Sequence, residues 1–414
     1  MIRISTLCLI CLILLFSCQQ ALQAAQKQLY FPSDSITAEL NKLHEMGQIN
    51  GFATAIVHSS GTLYANGIGY ADVASQTPYG PQTIQNIGSV SKTFIGIALL
   101  KAQEMGKLKL DDAINSYLPF EVKNPNHPED VITLRHLATH TSSILDTDFY
   151  DEKAYILKDS VENPEELAKI NESFTPPASR ISMMDFLKNV LSPEGEWYLK
   201  ESFSSHKSGA IYEYTNVGAT LAAAVLEEAT GENHEAFVTK HILKPLGMES
   251  SGLSFNQIDL SQHSKLYASP ETELPFYSLI TYPDGGMITS ISDLSIYLAE
   301  LIKGYAGEGS LLEKESYQEL FREQLSAKNL PDRDKEDDYD DEYNTGIFMG
   351  FTPRGYVGHT GGDPGIATFM FFDPKTQMGR ILMINTSIRN SEGVQQFYAI
   401  WNKLGDYEKK YQQP

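Results

Sequence analysis

Three short segments carry side chains whose types and spacing could support nucleophilic chemistry. In Ile87-Gly88-Ser89-Val90-Ser91-Lys92-Thr93-Phe94, a serine and a lysine stand three residues apart where an apolar helix pattern begins. That spacing puts both side chains on one helix face, about one turn apart. A helix N-terminus favours negative charge on a serine oxygen and offers free backbone N–H groups. Burial and that positive dipole depress a lysine pKa, which makes Lys92 a candidate base for Ser89. The same pattern recurs at Ser204-Ser205-His206-Lys207, but in a polar stretch that opens no apolar helix. The second segment is Tyr214-Thr215-Asn216, directly before an alanine-rich helix pattern; its copy, Tyr64-Ala65-Asn66, sits inside a strand and upstream of Ser89. The third is His359-Thr360-Gly361-Gly362, read as a short strand ending in a glycine-rich turn. Taken singly each triplet is weak; the three in this order, each at an element boundary, are not.

Other chemistries lack their residues. There is no G-x-S-x-G elbow and no G-x-x-x-x-G-K-[ST] phosphate loop. His44-Glu45 and His234-Glu235 begin like zincin helices without the second histidine, so no metal and no cofactor is expected. The acidic run at 331–342, PDRDKEDDYDDE, fails the calcium-loop template, because Asp337 and Tyr343 stand where Gly and Glu are needed. It reads as a solvated loop. The three cysteines, Cys8, Cys11 and Cys18, all precede residue 19, which leaves the body without a disulfide or a thiol nucleophile. A net charge of −21 disfavours nucleic acid and anionic lipid as partners.

The elements that must position these residues follow from periodicity. Arg3 and the apolar run 4–16 read as an export signal over 1–24, too short to span a bilayer. Two processing routes are open: a lipoprotein box at Leu15-Phe16-Ser17-Cys18 that lipidates Cys18, or cleavage after Ala24. Either exports the protein to a bacterial periplasm or cell envelope, lipid-anchored or secreted, with contact to membrane only through the signal or the lipid. A helix is expected over 35–48, then a hairpin of 52–58 and 62–69. Helices apolar nearly all round cover 89–105, stopped by Gly106, and 217–230, stopped by Gly231; both belong in the middle of a large domain. Shorter helices follow at 235–243 and 293–303, strands at 346–351, 366–372 and 380–386, and a last amphipathic helix at about 392–404. This order gives an α+β fold whose sheet draws on both chain ends. Residues 146–206 look inserted, polar and weakly periodic, with the pocket expected to be shaped by 146–210.

With these segments in view, the chain resembles serine hydrolases related to penicillin-binding proteins and class C β-lactamases. The likeness extends to GKLKLDDAINSYLP (106–119), ITLRHLATHTSS (132–143), KPLGMESSG (244–252), YPDGGMITSISDL (282–294) and HTGGDPGIATFMFFDP (359–374), covering about 35–404. It implies an antiparallel sheet with flanking helices, from 30–85 and 280–407, plus a mostly helical subdomain, 86–279, together forming one catalytic domain. It implies that Ser89 attacks a carbonyl while Lys92 and Tyr214 move its proton. Asn216, His359 and Thr360 would bind substrate, and the backbone N–H groups of Ser89 and Gly362 would form the oxyanion hole. Lactamases usually carry lysine where His359 stands, so the resemblance is nearer to D-Ala-D-Ala carboxypeptidases and related esterases acting on a small molecule or a peptidoglycan peptide. A β-lactamase and a non-catalytic wall-binding protein on the same fold are the alternatives.

Overall fold

The computed structural model describes residues 33–161, 173–331, 333 and 339–412. The leader expected over 1–24, including Cys18, lies outside them. Helix α1 (Ser33–His44) leads into strands β1 (Gly51–His58), β2 (Gly61–Asp72) and the short β3 (Thr77–Pro78). The helical middle contains α2 (Lys92–Glu104) and α3 (Asn216–Thr230), followed by α4 (Ile291–Tyr305). The chain then returns to strands β4 (Asn344–Thr345), β5 (Gly350–Phe351), β6 (Val357–Asp363), β7 (Ile366–Asp373) and β8 (Met378–Ile384), and closes with α5 (Ser391–Tyr411). The strands form one antiparallel sheet in the order β4-β5-β6-β7-β8-β1-β2-β3.

The centre of the sheet is where the two chain ends meet. β1 pairs with β8 from Phe52 opposite Ile384 to His58 opposite Met378. Successive side chains in a strand point to opposite faces, and here both faces are covered, so β1 reads as an almost unbroken apolar run. Phe52 and Ile56 join Leu382, Trp401 and Leu404 under α1 and α5. Ala53, Ala55 and Val57 face the other way, with Ile381, Leu294 and Leu298, towards α4 and the helical middle. There α2 and α3 bury nearly every residue of their first three turns. Helix α3 ends at Gly231, whose φ of 75° is the left-handed conformation glycine supplies at a helix terminus.

Several boundaries differ from the sequence reading, each for a local reason. The helix expected from 89 begins as a 3-10 turn at Gly88–Ser91 and becomes α-helical only at Lys92. The strand expected over 346–351 is interrupted: Phe348 has φ 51°, and a side chain on Gly346 would lie 2.1 Å from the Leu320 carbonyl oxygen. The His-Thr-Gly-Gly segment is not a turn but the middle of β6; the turn comes at Pro364 and Gly365. The segment 235–243 is α-helical only to Val238 before loosening into a π-turn. The inserted-looking 146–206 is not uniformly polar loop, since helix 183–191 buries Phe186, Leu187, Val190 and Leu191. Residues 162–172 of that segment, and 332 and 334–338 of the acidic run, lie outside the described residues. No helix of the described residues is long and apolar enough to cross a membrane.

Candidate active site

The turn that carries Ser89 is clamped between two backbone segments. Residues 84–86 pair with 288–290, and Ile87 N–H donates to the Met287 carbonyl (3.0 Å), while Met287 N–H donates to Ser91 Oγ (3.1 Å). From the other side comes β6. A Cβ on Gly88 would lie 2.8 Å from the Gly362 nitrogen, and one on Gly361 2.1 Å from the Ile87 oxygen and 3.1 Å from the Ser89 nitrogen. Gly88 also has φ 54°. Only glycine permits so close an approach, and that approach puts Ser89 beside the β6 backbone. Because residues i and i+3 eclipse in a 3-10 turn, Ser89 and Lys92 meet directly.

Lys92 is fully buried, and its three donor positions are all used. Nζ donates to Ser89 Oγ (2.9 Å), Asn216 Oδ1 (2.7 Å) and the Asp284 carbonyl (2.9 Å). Burial lowers its pKa below the usual lysine range, while the carboxylates of Asp284, Asp146, Asp363 and Asp341 hold it up. Ser89 itself is half-buried and can be reached from outside. The ring of Tyr214 lies 5.1 Å from Lys92 Nζ. Burial pushes the Tyr214 pKa well above its ordinary value, a hydrogen bond with Ser89 opposing it. Tyr214 therefore keeps its proton at neutral pH, and Lys92 is the group suited to act as base.

Asn216 and Tyr214 are placed by residues that carry no motif. Asp146 accepts from Thr215 Oγ1 (2.8 Å) and from the backbone N–H of Asn216 (2.8 Å) and Val217 (2.9 Å), so it caps α3 from seventy residues upstream. His140 stacks on Tyr214 with ring centroids 4.5 Å apart and accepts from Thr215 N–H at Nδ1 (3.3 Å). Under the lysine, the buried Asp284 carboxylate accepts from Tyr150 Oη (2.9 Å) and Thr220 Oγ1 (2.7 Å); burial raises its pKa to about 6. Residue types at these positions are unremarkable in sequence, and only the fold brings them together.

His359 sits beside this group, its ring centroid 6.3 Å from that of Tyr214. Its Nδ1 lies 2.6 Å from the Thr360 carbonyl, which can only accept, so Nδ1 carries a proton and Nε2 of the neutral ring is an acceptor. Burial lowers its pKa, partly opposed by Asp341, so the ring is neutral at pH 7. His359 can thus act as a donor at Nε2 only when protonated. Thr360 donates both its N–H (2.5 Å) and its Oγ1–H (3.0 Å) to Asp341 Oδ2, which is also 3.4 Å from His359 Nδ1. The end of the acidic run is therefore part of this site, not a solvated loop. Gly362 is exposed on β6, with nothing within 4 Å of where a Cβ would stand.

The two decoys are elsewhere. Lys207 is two-thirds exposed and Ser204 donates to Glu213 Oε1 (2.7 Å). Tyr64 bonds Thr37 (3.0 Å) among the residues beneath α1. A cavity of about 680 Å³ lined by Gln82, His263, Lys265 and Phe276 opens beside β3 and holds none of the residues above. Among the described residues no three His, Cys, Asp or Glu side chains are grouped to hold a metal.

The family model described as Beta-lactamase matches residues 36–404. Protein flp of Staphylococcus aureus (strain MW2) is 26% identical over 373 residues, 89% of this chain; the chain spans 65% of that relative's length. Among solved structures, the octameric penicillin-binding protein homologue of Pyrococcus abyssi superposes with a TM-score of 0.69 at 21% identity, covering 91% of this chain and 78% of the other. D-amino acid amidase from Ochrobactrum anthropi SV3, complexed with L-phenylalanine amide, gives 0.64 at 17%, covering 92% and 100%.

Proposed function

This chain belongs to the β-lactamase family of serine hydrolases, and from that premise we propose that it hydrolyses a peptide or ester through an acyl-enzyme on Ser89. The observation that carries the reading is the 2.9 Å contact between Ser89 Oγ and a fully buried Lys92 held by Asn216 and the Asp284 carbonyl. In the neutral form Lys92 takes the serine proton as Oγ attacks the substrate carbonyl carbon. The oxyanion so formed is met by the backbone N–H groups of Ser89 and Gly362. As the tetrahedral adduct collapses, the bond to the amine or alcohol breaks, and the proton returns to it through Lys92 and the neutral Tyr214 hydroxyl. Water then enters by the same route in reverse, Lys92 taking its proton, and releases the acid. With His359 neutral, the permanent cation lactamases use there is absent, which favours carboxypeptidase-like or esterase-like turnover over β-lactam hydrolysis. The leader read over 1–24 would place this activity in the cell envelope.

The test is covalent labelling. Wild-type protein should be modified at Ser89 by a fluorescent fluorophosphonate, and Ser89→Ala should lose the label. Persistent labelling of that variant removes the nucleophile assignment. Rapid turnover of nitrocefin by the wild type would refute the preference against β-lactams.

A further inference from the structure

We propose that Asp341 is a specificity-determining residue, an internal carboxylate that fills the anion-accepting corner of the site and restricts the enzyme to esters and amides with no free carboxylate next to the scissile bond. This rests on the acyl-enzyme reading above and names its substrate class.

The corner is formed by β6. Thr360 contributes a backbone N–H and a hydroxyl, and both already donate to Asp341 Oδ2, with His359 Nδ1 3.4 Å from the same oxygen. The Asp341 side chain is only 10% exposed, so this anion is seated in the protein and not waiting at its surface. Its backbone is fixed as well. A Cβ on Gly350 would lie 2.6 Å from the Asp341 carbonyl oxygen, so the loop rests on a strand position that has no side chain, and Glu342 is bridged to Phe351. Glu342 N–H donates to Asp340 Oδ1 (3.0 Å), closing the turn that presents Asp341.

A second carboxylate arriving here would find these donors occupied and a negative charge in contact. The surroundings of Lys92 are anionic as well. Four carboxylates, Asp284, Asp146, Asp363 and Asp341, act on the single buried ammonium of Lys92, and that ammonium is already bonded to Ser89, Asn216 and the Asp284 carbonyl. A neutral ester or amide meets none of this repulsion, and a substrate bearing an ammonium group is attracted.

The experiment uses the purified full chain and benzylpenicillin with its methyl ester, a pair differing in one carboxylate. The rate at which each blocks fluorophosphonate labelling of Ser89 is measured. In the wild type the ester should react more than about tenfold faster than the acid, the penalty expected of like charges in contact. In Asp341→Asn the ratio of acid to ester rates should rise by about tenfold or more. A role in folding alone would move both rates together and leave the ratio fixed. Equal rates for acid and ester in the wild type overturn the proposal without any variant, and an unchanged ratio in a labelled Asp341→Asn protein overturns it too. Failure of the fluorophosphonate to label wild-type Ser89 overturns the hydrolase reading itself, and this proposal with it.

Discussion

Gly361→Ala tests the most stringent requirement of the site, that a strand can lie against the nucleophile turn without side chains between them. The added Cβ would stand 2.1 Å from the Ile87 oxygen and 3.1 Å from the Ser89 nitrogen. The first is about 1 Å inside the closest approach such atoms tolerate, so strand and turn must part by about that amount. The strand cannot retreat freely, because β6 is held in register by β7, Gly361 opposite Thr368 and Gly362 opposite Ala367. Overpacking of this kind costs about 1–3 kcal/mol of stability. The effect on chemistry should be larger. A reacting group misplaced by about 1 Å loses on the order of 100-fold in rate, and here Ser89, Lys92 and Tyr214 are all intact. Stopped-time fluorophosphonate labelling reads the rate, and a thermal melt reads the stability. Gly362→Ala is the control for stability, since nothing lies within 4 Å of its Cβ position, and its melt should stay within about 0.5 kcal/mol of wild type. If Gly361→Ala labels within about threefold of wild type and melts with it, the close approach has no part in catalysis and the reasoning fails.

Two further outcomes follow from the charges around Lys92. The acylation rate should rise with pH as Lys92 loses its proton, with a midpoint below the ordinary lysine range. Asp284→Asn removes the leading charge that holds that pKa up, so the midpoint should move to lower pH; a pH profile of labelling that moves upward contradicts the assignment of Lys92 as base. Adding a permanent cation at position 359 should not by itself create a lactamase. His359→Lys places an ammonium beside Asp341, which neutralises it, whereas His359→Lys with Asp341→Asn should hydrolyse nitrocefin at least about tenfold faster than either single variant. A single His359→Lys variant as fast as the double would show that Asp341 does not compete for that charge.

The parts of the site legible in the sequence were those tied to local structure. Ser89 and Lys92 open a helix that is apolar all round, and Tyr214 and Asn216 abut another; periodicity marks both ends. The strand positions of His359 to Gly362 were visible as residues, but two glycines in a row suggested a turn, when they serve instead to let β6 pass against residues 87–89. What stayed hidden acts across sequence distance. Asp146 caps α3 from the inserted-looking segment, His140 supports Tyr214 by stacking, and Asp284 lies beneath Lys92 through its backbone carbonyl. Asp341 was harder still, because a run of acidic residues carries the same composition whether it faces water or a half-buried threonine.

The pairing of β1 with β8 also sets an order of events in the making of the molecule. Ser89 and Lys92 emerge from the ribosome in the first quarter of the chain, but the strand that must lie beside them ends at Asp363, and β1 finds its second neighbour only when residues 378–384 have been made. Until then β1, paired only with β2, leaves its other side as an open, largely apolar edge. Contacts between such distant parts of a chain close slowly, because the intervening loop must be ordered first. A chain stopped before β8 would hold Ser89 and Lys92 without the central strand that joins β1 to β7 and so seats β6 beside them. The grouping of Ser89 and Lys92 with β6 is therefore completed only by the final strands.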